Sequence, residues 1–83
     1  FADLQLRIAK TVALLREADP AEIDGQEQRP VTLKVGGREI HFAAQDYLLT
    51  FVLPNLFFHV TMVYALLRRD GVALGKADFL GSL

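Results

Sequence analysis

Two histidines, His41 and His59, are the side chains of this 83-residue sequence best suited to ligate a metal or move a proton. His59 lies in a run without formal charge, residues 47–67. Helical steps of about 100° per residue place it at the centre of a face made by Leu48, Val52, Asn55, Leu56, Val63 and Leu66. Thr50, Thr61, Tyr64 and Arg68 fall on the opposite side. The spacing therefore predicts that His59, with Asn55 one turn before it and Val63 one turn after, points into an interior. A buried imidazole needs partners for its ring nitrogens. Three roles meet that need: a core histidine bonded to a polar group on another element, a ligand to a divalent metal ion, or a general acid/base in a pocket. The candidate pocket is Asn55, His59 and Val63, with His59 the candidate metal ligand; no catalytic residue is assignable.

The remaining candidates carry weaker chemistry. His41 falls in an alternating run and shares a face with Thr32, Lys34 and Glu39, which predicts exposure. Asp46 suits a helix N-terminus, where a negative charge is favoured. Gly36-Gly37 reads as a turn, without the strand-loop-helix setting of a phosphate loop, and Gly75-Lys76 is no Walker motif. Phe51, Phe57, Phe58 and Tyr64 read as packing residues rather than a cofactor box. The chain has no Cys, which removes disulfides, thiolate nucleophiles and zinc-thiolate sites and suits a reducing compartment such as the cytoplasm.

The elements that must position these residues follow from periodicity. Phe1, Leu4, Ile8, Val12 and Leu15 recur at three- and four-residue steps and predict an amphipathic helix over 1–18, ended by Pro20. Residues 19–30 read as a loop with one helical turn. VTLKV-GG-REIHF predicts a β-hairpin over 31–42, in which Val31 faces Phe42, Leu33 faces Ile40 and Lys34 faces Glu39. A long helix over 44–69 follows, kinked or divided near 51–53 because Pro54 removes a backbone donor. Arg68, Arg69 and Gly71 suit its end. Residues 70–83 read as an irregular C-terminal strap. The whole is expected to be a single domain or part-domain.

Nine basic against ten acidic side chains give a net charge of -1, so no electrostatic footprint for nucleic acid is present. The stretch 47–67 is long enough to span a bilayer, but Thr50, Pro54, Asn55, His59 and Thr61 lie inside it and are costly in lipid, so a core helix is expected instead. At this length a single core is marginal, and the chain begins at Phe1 rather than Met. The expectation is a piece whose apolar helix is covered by a missing N-terminal half, by a homodimer subunit, or by both, with neither nucleic acid nor membrane as partner.

The string DYLLTFVLPNLFFHVTMVYALLRRDGVALGKADFLG, with the upstream VTLKVGGREIHF, resembles a bacterial domain-of-unknown-function family grouped with the DinB/YfiT-like four-helix bundles. The resemblance covers nearly the whole chain and is carried most specifically by PNLFFHV and DGVALGKADFLG. It implies an all-α, mainly helical fold, the C-terminal half of an up-and-down four-helix bundle. Two long helices would be joined by a loop and a small β-hairpin, with the strap added. DinB-like relatives often hold a divalent metal with three histidines, two of them one turn apart on the last helix. Here the positions one turn either side of His59 are Asn55 and Val63, so that pair is not present and a lone ligand would need partners from elsewhere. Relatives include thiol-dependent transferases, and no residue carries that activity over. Two readings follow: a divalent-metal-binding enzyme using His59, or a non-catalytic bundle that mediates oligomerisation or binds a partner or an apolar ligand.

Overall fold

In the computed structural model, which describes residues 1–82, the first element is helix α1, Ala2–Glu17. Its end is set locally. Ala18 and Asp19 are extended, as a residue before proline prefers, and Pro20 opens a second short helix, α2, Pro20–Ile23. The Asp19 carboxylate caps that turn by accepting from the Ala21 N–H at 2.9 Å.

Strands β1, Pro30–Val35, and β2, Arg38–Ala43, pair antiparallel in the register Val31 with Phe42, Leu33 with Ile40 and Lys34 with Glu39. Both turn glycines have positive φ, 56° at Gly36 and 77° at Gly37, the geometry that matches the twist of a two-residue hairpin. One face carries Thr32, Lys34, Glu39 and His41 to solvent. On the other, Phe42 meets Tyr47, with ring centroids 5.5 Å apart, and Tyr47 stacks on Phe51 at the same spacing.

That aromatic row ties the hairpin to the start of a continuous 26-residue helix, Ala44–Arg69. Its first free N–H groups are satisfied by the preceding loop: Ala44 donates to the Arg29 carbonyl at 2.8 Å and Gln45 to the Glu27 carbonyl at 2.9 Å. The helix comprises α3, Ala44–Tyr47, a π-helical turn, Leu48–Val52, and α4, Leu53–Arg69. Pro54 does not divide it. The irregularity falls one turn upstream, where the Leu53 N–H reaches back five residues to the Leu48 carbonyl and the chain widens ahead of the proline ring. The Thr50 hydroxyl donates to the Asp46 carbonyl at 2.6 Å in the same turn.

At its far end α4 closes with Gly71 at φ 94°. Gly71 donates to the Arg68 carbonyl and Val72 to the Leu67 carbonyl, the paired bonds of a Schellman ending. The strap is less irregular than its sequence suggests. Residues Lys76–Leu80 form a short helix, α5, whose first turn is fixed by the Gly75 N–H donating to Asp78 Oδ2 at 2.8 Å. The Tyr64 hydroxyl donates to the Gly75 carbonyl, and the Tyr64 and Phe79 rings meet edge to face at 5.5 Å. The last residue of the expected strap, Leu83, lies outside the described residues.

The expected half-bundle of two long helices is corrected by this arrangement. The fold is a small mixed α/β one, largely helical, whose tertiary packing joins the hairpin to the start of the long helix. Helix α1 packs against no other element among the described residues, so its stripe of Leu4, Ile8 and Leu15 stays exposed. Periodicity dictates which face of a helix is apolar; it does not supply the neighbour that covers that face.

Candidate functional site

His59 lies on α4, six residues after Leu53, where the helix is regular again after the π turn. It is exposed, not interior, and so is Asn55 one turn before it. Neither side chain makes a hydrogen bond to the described residues. The imidazole packs edge-on against Phe58, with ring centroids 5.3 Å apart. With Val60, Val63 and Tyr64 it lines an almost wholly apolar groove of about 280 Å³. The sequence placed the three candidate residues on one side of the helix, but nothing in the described chain lies opposite them.

A divalent metal does not fit the donor set this chain provides. Among the described residues no three His, Asp or Glu side chains are grouped closely enough to share an ion. The neighbours of His59 at one-turn spacing are an amide, Asn55, and an aliphatic group, Val63, so the imidazole is the lone strong ligand at this place.

His41 is held on the hairpin's solvent face. Its Nδ1 lies 3.1 Å from the Thr32 hydroxyl and its Nε2 3.8 Å from Glu39, which also lies 3.9 Å from Lys34. These are exposed cross-strand contacts of the kind that hold register.

The larger cavity is one the residue spacing did not announce. About 640 Å³ opens between the loop after α2 and the first turns of the long helix, walled by Ile23, Val31, Leu48 and Leu49, with Glu27 and Arg29 at its margin. The carbonyls of Glu27 and Arg29, which cap the helix start, tie one wall of this cleft to the other. Such a cleft is made by backbone bonds between segments distant in sequence; charge and glycine content mark residues 20–30 as a loop but do not show where it docks.

Residues 1–80 match the sequence model of a family described as Domain of unknown function (DUF1993), and the chain belongs to that family. No curated protein and no solved structure matches it.

Proposed function

Taking membership of the DUF1993 family as the premise, we propose that this chain works by association. The helix Ala44–Arg69 and the stripe of α1 form a surface that further protein covers in the working molecule. One observation carries this reading. The chain exposes 7587 Å², whereas a compact protein of its 9.2 kDa exposes roughly 4,900 Å². Its radius of gyration is 16.5 Å against roughly 12 Å for a compact domain of this length. Large apolar side chains contribute to it: Leu56, Phe57, Phe58, Met62, Val63 and Leu66 are each about half exposed on one helix. Isolated apolar residues on a surface need no explanation, but this many large ones along one helix point to a face that other groups cover.

The helix is also long and apolar enough to cross a membrane, with a mean hydropathy of 1.6. Protein is favoured over lipid as the cover because Asn55, His59 and Thr61 sit mid-helix. In hydrocarbon, polar side chains at that depth lose water without gaining partners. Flotation of the full-length protein with phosphatidylcholine vesicles separates the two. The expected result is protein at the bottom of the gradient and slow amide exchange over 56–66 in its assembled form. Co-flotation with that segment protected only in lipid is the result that removes the proposal.

A second reading rests on the free nitrogens of His59 at the middle of this surface, and on the likeness of PNLFFHV to DinB/YfiT-like proteins. The covering protein would bring further ligands, and His59 would join them in a divalent-metal enzyme. Metal analysis of full-length protein beside His59→Ala tests it. Stoichiometric metal lost in the variant supports it; none, or the same content in both, removes it. The association reading expects none.

A further inference from the structure

We draw no further inference here: the strongest candidate, the cleft of about 640 Å³ between the loop after α2 and the first turns of the long helix, is walled by Ile23, Val31, Leu48 and Leu49, none of them buried, and nothing in the structure shows what fills it.

Discussion

Tyr64 shows how one side chain decides which face of a helix remains open. Its ring is half-buried against Phe79 and its hydroxyl holds the Gly75 carbonyl, so the strap is anchored at one point by two different interactions. They can be separated. Tyr64→Phe keeps the edge-to-face contact and removes the hydrogen bond, which contributes about 1 kcal/mol for a typical intramolecular bond. Amide exchange should accelerate over Lys76–Leu80 while rates in α4 stay unchanged; equal acceleration along α4 would show that the strap supports the whole helix and not its own position alone. The sequence separates Tyr64 from His59 by about 140° around the helix because both lie on one regular helix and their angular separation is local geometry. What each residue meets is not legible there: Phe79 reaches Tyr64 through a Schellman ending and a capped turn, and His59, expected inside, has no neighbour from another element among the described residues.

Elements differ in how much of their structure is local, and the hairpin is the most local of them. Gly36-Gly37 and the two-residue alternation on either side define turn, register and exposed face together, which is why the pairing can be written residue by residue from the sequence. The two glycines are not equivalent in what they tolerate. At φ 77°, Gly37→Ala pushes a Cβ into the left-handed region, costing about 1–2 kcal/mol. Gly36→Asn at φ 56° gives the Asn-Gly pair that such turns favour and should be nearly neutral. Cross-strand exchange protection at Leu33 and Ile40 measures both; if the alanine variant keeps full protection, the turn is not what fixes this register. The long helix is legible in extent but not in its defect. Proline in a helix forces some accommodation, and a break, a kink and a π turn all remove the clash with the preceding carbonyl. The structure takes the π turn, in the segment where Tyr47 and Phe51 stack, and keeps the helix continuous from the hairpin to Arg69.

At the scale of the whole molecule, the described chain has well-formed elements and no fully buried side chain, and under the association reading its folding depends on what covers it. Local bonds and caps hold each helix and the hairpin, but a cooperative unfolding transition requires apolar surface removed from water, and here most of that surface is still available. If a second copy supplies the cover, folding and association are one equilibrium, and the unfolding midpoint must rise with protein concentration. If the cover comes from the same polypeptide, the midpoint is independent of concentration. A substitution at the middle of the open face then reports on the cover directly. Val63→Asp sets a carboxylate beside His59 and between Leu56 and Leu66, and leaving it unpaired within a covered interface costs roughly 3–5 kcal/mol, a large share of what holds a small domain together. Thr61→Asp, on the opposite and already polar side, carries the same charge without entering that face. Thermal unfolding of the two variants at a series of concentrations should show the Val63→Asp protein losing its cooperative transition and its concentration dependence, with the Thr61→Asp protein close to the parent. Identical curves for both would mean that the Leu56–Val63–Leu66 face stays in water, and that the apolar surplus is covered from another direction.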